Sequence, residues 1–136
     1  MTDKKEDVFI AKSIAFIEED DFYTFGLADD DEHAENYIFI LYSKKNIEMK
    51  DVNSDQNQEY FQSSFIDGGD YGVVRNITIC DNKIIFYIEP FDYAKTITVY
   101  TYDCTQSPDE IYGYLLNVHN RVHSTIHLIR KSRTVC

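Results

Sequence analysis

Short segments rich in aromatic and β-branched residues, separated by turn-forming residues, predict that this chain folds mainly as β-structure. Its 136 residues include 11 Tyr and 9 Phe, side chains that pair well across neighbouring strands. The predicted strands cover residues 8–18, 22–28, 37–42, 59–65, 71–80, 83–89 and 96–102, with a short strand around Ile47 and Met49. Residues 37–42 form a continuous apolar run, so we expect a central strand buried on both faces.

One helix is predicted after these strands. Ser107 can cap a free amide, Pro108 suits the first helical position, and Glu110 can complete a capping box. One stripe of the helix is apolar and consists of Ile111, Leu115, Val118 and Val122. This stripe should pack on the sheet. Whether the helix continues past Ser124 stays open, because residues 126–129 fit either a helix or a last strand.

Together these elements predict a single α+β domain over residues 1–136. Its centre would be a mainly antiparallel β-sheet of about six to seven strands, with one capped C-terminal helix packed on it. Asp81 and Asn82 favour a tight hairpin turn between two of the strands. Residues 130–136, which begin with basic residues, are predicted to form a mobile tail.

The negative charge is concentrated in the first half of the chain. Residues 1–70 carry 18 Asp and Glu against 6 Lys, a balance of −12, and residues 71–136 carry 6 acids against 7 bases, a balance of +1, which gives the net −11. Clustered carboxylates attract cationic partners and repel nucleic acid and anionic lipid. We therefore expect a basic protein partner, and neither a nucleic acid nor a membrane.

Two acidic segments with aromatic neighbours form the predicted binding surface. The predicted partner-binding residues are Glu18, Glu19, Asp20, Asp21, Tyr23, Asp29, Asp30, Asp31, Glu32, Glu35 and Tyr37. In such a surface the aromatic side chains supply most of the affinity, whereas the charges govern the association rate.

No catalytic residues, metal site or cofactor are predicted. Three histidines recur at intervals of four residues, at His119, His123 and His127. They lack the HExxH pattern and the three or four converging ligands that a metal site needs. Residues 29–32 lack the spacing of a calcium loop, and residues 67–72 lack the lysine of a phosphate loop. Cys80 falls within a predicted strand, where a buried and inert thiol is expected.

Features of the whole sequence indicate a cytoplasmic protein. No secretory signal pattern and no apolar run long enough to span a membrane is visible. The three cysteines, Cys80, Cys104 and Cys136, are widely spaced and resemble neither a disulfide framework nor paired metal ligands. Two alternatives to a protein-binding function stay open. One is a small enzyme or ligand-binding protein with a pocket between sheet and helix, and the other is a structural module that forms homo-oligomers through a strand edge.

Several short motifs in the first 90 residues occur in a characteristic order. The segment Asp21–Asp29 is followed by the strand Tyr37–Leu41, then by Gln58-Glu59-Tyr60, and then by Tyr71-Gly72 after a glycine turn. In this order the motifs resemble immunity-protein family ten of bacterial polymorphic toxin systems. Val73 stands where that family has a second glycine.

The resemblance covers roughly residues 12–90 and does not extend to the predicted helix. It implies a small cytoplasmic protein that binds and neutralises a cognate toxin domain and performs no catalysis. If the toxin is a nuclease, the acidic surface can occupy the basic surface that binds phosphates.

Overall fold

The computed structural model describes residues 6–30, 32–44, 59–66, 68–90, 92–122 and 124–131. These residues form ten strands and one helix, which confirms the predicted α+β class with more strands than expected. In chain order the elements are β1 (Glu6–Ile10), β2 (Ser13–Glu18), β3 (Phe22–Ala28), β4 (Tyr37–Ser43), β5 (Tyr60–Ser63), β6 (Gly69–Tyr71), β7 (Val74–Ile79), β8 (Lys83–Ile88), β9 (Lys95–Tyr100), α1 (Pro108–Val122) and β10 (His127–Arg130).

The strands form two five-stranded sheets rather than the single sheet that the sequence predicts. The first sheet has the order β1-β9-β8-β7-β10, and its two edge strands lie parallel to their neighbours. The second sheet has the order β2-β3-β4-β5-β6 and is antiparallel throughout. Two layers allow ten short strands to share one core, whereas a single twisted sheet of that width would leave one face open.

The chain passes between the sheets within the segment 8–18, which the sequence predicts to be one strand. The amide of Ala11 donates to the Tyr100 carbonyl in the first sheet at 2.9 Å, and the next amide, of Lys12, donates to the Ala28 carbonyl in the second at 2.8 Å. Because of this break, one alternation does not run through the whole segment: Val8 and Ile10 are exposed, whereas Ile14, of the same parity, is buried. Phe9 points into the core, and Val8 is 53% exposed.

One hydrophobic core joins both sheets and the helix. Its largest fully buried side chains include Tyr42, Phe25, Phe61 and Phe86. The predicted helical stripe is confirmed, because all four of its residues are buried. The capping box is confirmed as well: the Glu110 amide donates to Ser107 Oγ, and the Ser107 amide donates to a Glu110 carboxylate oxygen, both at 3.1 Å.

The helix ends at Val122, before Ser124, and the following apolar residues form β10. Arg130, which the sequence assigns to a mobile tail, is the last residue of β10 and pairs with Asp81 at 2.7 Å and Asp109 at 3.1 Å. Residues 132–136 lie outside the described residues. Within the described ranges, no helix is both long and apolar enough to cross a membrane.

The remaining strand and cysteine predictions have mixed outcomes. The hairpin around Asp81 and Asn82 is confirmed, because β7 and β8 pair in antiparallel register on either side of it. The proposed strand around Ile47 and Met49 lies outside the described residues. Cys80 is buried, as predicted, but it is disulfide-bonded, so the prediction that it is a thiol is wrong. Cys104 is a free thiol.

Candidate protein interface

The two predicted acidic segments lie at opposite ends of strand β3. Residues 18–21 include the turn that precedes the strand, and residues 29–35 belong to the loop that follows it. Six residue steps along a strand separate the two ends by about 20 Å. The predicted binding surface is therefore two acidic ends rather than one cluster.

The first acidic end is a tight turn between β2 and β3. The Glu19 amide donates to the Phe22 carbonyl at 2.8 Å, and the Glu18 carboxylate pairs with Lys44 Nζ at 2.9 Å. Lys44 also donates its amide to the Asp21 carbonyl at 2.9 Å. Within the described residues, the carboxylates of Glu19, Asp20 and Asp21 are exposed and make no ion pair. These three are free to meet a partner.

In the second acidic end, two carboxylates hold the loop together. Asp29 accepts hydrogen bonds from the amides of Glu35 at 3.0 Å and Asn36 at 3.2 Å, and from the Asn36 side chain at 2.9 Å. Asp30 accepts from the amides of His33 and Glu32, and these bonds lower the pKa of its carboxyl. Both residues are thus structural parts of the loop.

Two other acidic residues of this loop, Glu32 and Glu35, point their carboxylates to solvent instead of holding the loop together. Glu32 and Glu35 are exposed, and neither side chain makes an ion pair in the part of the chain that the structure describes. Asp31 lies outside the described residues. Glu32 and Glu35 are therefore the carboxylates that this end presents to solvent.

Tyr23 is not available as an interface anchor, so its predicted role is wrong. Its side chain points into the core and is only 6% exposed. Its hydroxyl accepts a hydrogen bond from Arg121 at 3.2 Å, and Lys44 Nζ lies 4.8 Å from its ring centroid. The alternation of β3 causes this orientation, since Tyr23 shares the inward parity of Phe25 and Leu27.

Tyr37 faces outward on β4 and leads to a surface that the sequence analysis missed. Residues paired directly in an antiparallel sheet share a face, so the register defines every outward position of the second sheet. These positions, which we name the outer aromatic face, are Ser13, Ala15, Ile17, Phe22, Thr24, Gly26, Ala28, Tyr37, Phe39, Leu41, Ser43, Tyr60, Gln62, Gly69 and Tyr71. None of them is charged.

Two glycines on this face make room for aromatic rings from the neighbouring strands. A Cβ added to Gly26 would lie 2.8 Å from the ring of Phe39, and a Cβ added to Gly69 would collide with the ring of Tyr60. The Tyr37 and Phe39 centroids are 5.3 Å apart, and Tyr60 lies 5.0 Å from Tyr71. The result is an aromatic surface of tilted and edge-to-face rings on the second sheet.

A sequence signal for this face exists in β4. The run 37–42 is apolar at both parities, which we read as a strand buried on both sides. The structure confirms its central place but buries only Ile38, Ile40 and Tyr42, whereas Phe39 is 37% exposed. That interpretation was wrong because an apolar run does not distinguish a second buried face from a face that awaits a partner.

The region between the helix and the second sheet, where a ligand pocket was the alternative, is filled by packed side chains. Tyr114 stacks on Phe16 at 4.2 Å between centroids, and His119 Nε2 shares a 3.0 Å hydrogen bond with the Tyr42 hydroxyl. Burial lowers the pKa of His119 to about 4. The imidazole is therefore neutral at pH 7.

The three periodic histidines do not come together as a metal site among the residues that the structure describes. His119 is buried against Tyr42, His127 is exposed on β10, and His123 lies outside those residues. Across the described ranges, no three potential ligands converge on one point.

Comparison with known proteins adds no relative: no protein-family model matches the chain, and no curated protein is significantly similar to it. The resemblance to immunity-protein family ten thus stays a prediction from short motifs. The features of the molecule that indicate a function are the geometry of the second sheet and its acidic ends.

Proposed function

We propose that this protein is an immunity protein that binds a cognate bacterial toxin domain and neutralises it by stoichiometric protein–protein interaction, without catalysis. The supporting observation is the set of exposed carboxylates at both ends of β3, formed by Glu19, Asp20, Asp21, Glu32 and Glu35, none of which makes an ion pair with another residue that the structure describes. Such groups attract a basic protein and raise its association rate. They also disfavour the alternatives of a nucleic acid or an anionic membrane.

The proposed partner is a basic toxin domain, and a nuclease is one class that fits. A nuclease must present Lys and Arg to phosphates, and those side chains form their strongest hydrogen bonds with carboxylates and phosphates. Carboxylates placed against that surface would exclude the substrate. The motifs that resemble immunity-protein family ten agree with this function and with a cytoplasmic location.

The direct test mixes the purified protein with the toxin domain encoded beside its gene. We expect a one-to-one complex, loss of toxin activity, and an association rate that falls as salt rises, because surface charges are screened beyond about 8–10 Å in physiological salt. Absence of binding, together with failure to protect cells that express the toxin domain, would refute the proposal.

A matched pair of variants tests the role of charge. Asp20→Asn with Asp21→Asn removes two carboxylates from the first acidic end. The control Asp92→Asn removes an exposed carboxylate that lies outside both ends and makes no ion pair among the described residues. We expect the double variant to lower the association rate by about tenfold at low salt and the control to change it by less than about twofold. Equal effects would contradict an acidic interface.

The disulfide at Cys80 tests the proposed compartment. Structural disulfides persist mainly in oxidising compartments, whereas the cytoplasm keeps most thiols reduced. Because Cys80 is buried, cells are quenched with a thiol-alkylating reagent in denaturant, and under these conditions a cytoplasmic protein should show Cys80 alkylated. Full protection of Cys80 from the reagent would contradict the cytoplasmic location. It would not contradict the proposed binding of a toxin domain.

A further inference from the structure

The outer aromatic face has the composition of an interface core rather than of a solvent-facing sheet. Antiparallel sheets with one wet side normally alternate apolar residues inward with polar residues outward. Charged residues make up 27% of this chain, yet none occupies an outward position that the structure describes in the second sheet. Depletion of charge and enrichment of aromatic residues are what distinguish the centre of protein interfaces from other surface.

Specific pairings place aromatic rings over the two glycines of this face. A glycine inside a strand weakens it by roughly 0.5–1 kcal/mol, and this face contains two, Gly26 and Gly69. Each is covered by an aromatic ring from the neighbouring strand, Phe39 and Tyr60 respectively. Any larger residue at either position would lift the ring away from the sheet. The rings of Phe39 and Tyr60 therefore lie close over the backbone of the neighbouring strands, and Tyr71 packs edge-on against Tyr60 at an interplanar angle of 61°.

The size of the face indicates that a partner would also touch the acidic ends. The five strands lie about 4.8 Å apart and have three to seven residues each, or lengths of roughly 10–23 Å, which gives an area of about 400 Å². A stable interface takes about 800 Å² from each partner. The remaining area must come from the rim of the face, and the two ends of β3 on that rim present exposed carboxylates. An occupant of ordinary size would thus extend onto the rim, where these carboxylates attract basic groups.

Charge selects among the occupants of such a face. Aromatic platforms also bind single-stranded nucleic acids, but they do so inside basic grooves, and this one has carboxylates at both ends. A second copy of the chain would bring its own acidic ends close to the same carboxylates, and such like-charge contacts cost several kcal/mol. A protein with basic groups meets neither the repulsion that a nucleic acid would feel nor the like-charge repulsion between two copies of this chain.

We infer that the outer aromatic face is the core of the partner-binding surface, and that its partner is a protein with an apolar patch flanked by two clusters of Lys and Arg about 20 Å apart. This inference rests on the proposed function for the identity of the partner as a toxin domain. The chemistry of the surface is independent of that identity.

A matched pair of tyrosine variants tests the inference with the neighbouring toxin domain. Tyr71→Lys changes an outward tyrosine of the outer aromatic face that is 45% exposed, and Tyr87→Lys changes an outward tyrosine of the first sheet that is 38% exposed. We expect Tyr71→Lys to weaken binding by about 100-fold or more and Tyr87→Lys by less than about threefold. Ile17→Lys serves as a second variant of the face if Tyr71→Lys does not fold.

The outcomes separate the inference from the proposed function. If the toxin domain binds Tyr71→Lys and Ile17→Lys as tightly as the wild type, the outer aromatic face is not the interface, although the proposed function stands. If a wild-type dimer in sedimentation is dissociated by Tyr71→Lys, a second copy is the occupant and the basic partner is wrong.

If the toxin domain does not bind at all, the proposed function fails and a second probe decides about the face. Binders are selected against the wild type from a displayed library of small proteins with randomised surfaces. Most binders should be rich in Lys and Arg, lose binding to Tyr71→Lys and keep binding to Tyr87→Lys. Binders that do not discriminate between the two variants would overturn the inference.

Discussion

At the residue scale, the buried imidazole of His119 makes the stability of the fold depend on pH. Burial lowers the pKa of His119 to about 4, while the unfolded chain takes up the proton near 6.5. The stability from the neutral ring is therefore complete above pH 6.5 and is lost as the pH falls toward 4. Urea unfolding of the wild type and His119→Gln should show that the wild type loses about 2 kcal/mol more between pH 7.5 and pH 5. An equal loss in both proteins would contradict the buried neutral imidazole.

The buried carboxyl of Glu59 makes stability depend on pH in the opposite direction from His119. Burial raises the pKa of its carboxyl, although its hydrogen bond from the Val74 amide at 3.0 Å lowers it in part. A raised carboxyl pKa gives stability that is present below the unfolded pKa and is lost as the pH rises through the folded pKa. Glu59→Gln keeps an acceptor and removes the buried charge, so its free energy of unfolding at pH 7 should exceed that of the wild type.

The matched control for Glu59 is Glu59→Leu, which removes the acceptor. It leaves the Val74 amide without its partner and should lower the free energy of unfolding by about 1–3 kcal/mol. Chemical denaturation at pH 4 and pH 7 measures both variants. A Glu59→Gln protein that is less stable than the wild type at pH 7 would show that the charge itself is stabilising.

At the element scale, two glycines in different elements should respond oppositely to the same substitution. Gly26→Ala places a Cβ against Phe39 in the pairing of β3 with β4, and we expect a loss of about 1–3 kcal/mol. Gly113→Ala meets nothing within 4 Å on α1 and should stabilise the protein by about 1 kcal/mol through helix propensity. Thermal unfolding of both variants measures the difference. If Phe39→Ala does not relieve the Gly26→Ala defect, the aromatic ring is not its cause.

Local signals predicted most elements of this fold, and long-range pairing accounts for the errors. The helix from Pro108 was predictable because its cap, first turn and apolar stripe are all encoded within a few residues. The split of 8–18 between two sheets was not, since it depends on hydrogen bonds from Ala11 and Lys12 to strands far along the chain. β10 was ambiguous because four apolar-rich residues fit a helix or a strand equally well.

At the scale of the whole molecule, the two acidic ends should act independently on association. Sites this far apart with no shared contacts usually have additive effects. Glu32→Gln with Glu35→Gln and Asp20→Asn with Asp21→Asn should each slow association with the toxin domain, and the logarithms of their effects should add in the fourfold variant. Stopped-flow mixing at low salt measures these rates. A fourfold variant no slower than either double variant would mean that the partner reaches only one end.

The candidate site was predictable in its charge and not in its shape. The carboxylates are visible in the composition, but their division between the ends of β3 follows from the hairpin register. Tyr23 failed as an anchor because strand alternation turns it inward, and the outer aromatic face was missed because its members are spread over five strands. Only the fold places Ile17 and Tyr71 on one surface.

One edge strand of the first sheet, β1, comes from residues near the start of the sequence. The other edge strand, β10, comes from residues 127–130. Such distant segments meet only after a large loss of chain entropy, which slows folding. During synthesis β7 can pair with β8 at once, but its other side stays bare until residue 130 has left the ribosome. Chains stalled before that point would expose the unpaired edge of β7, which can pair with strands of other molecules, and they should therefore aggregate.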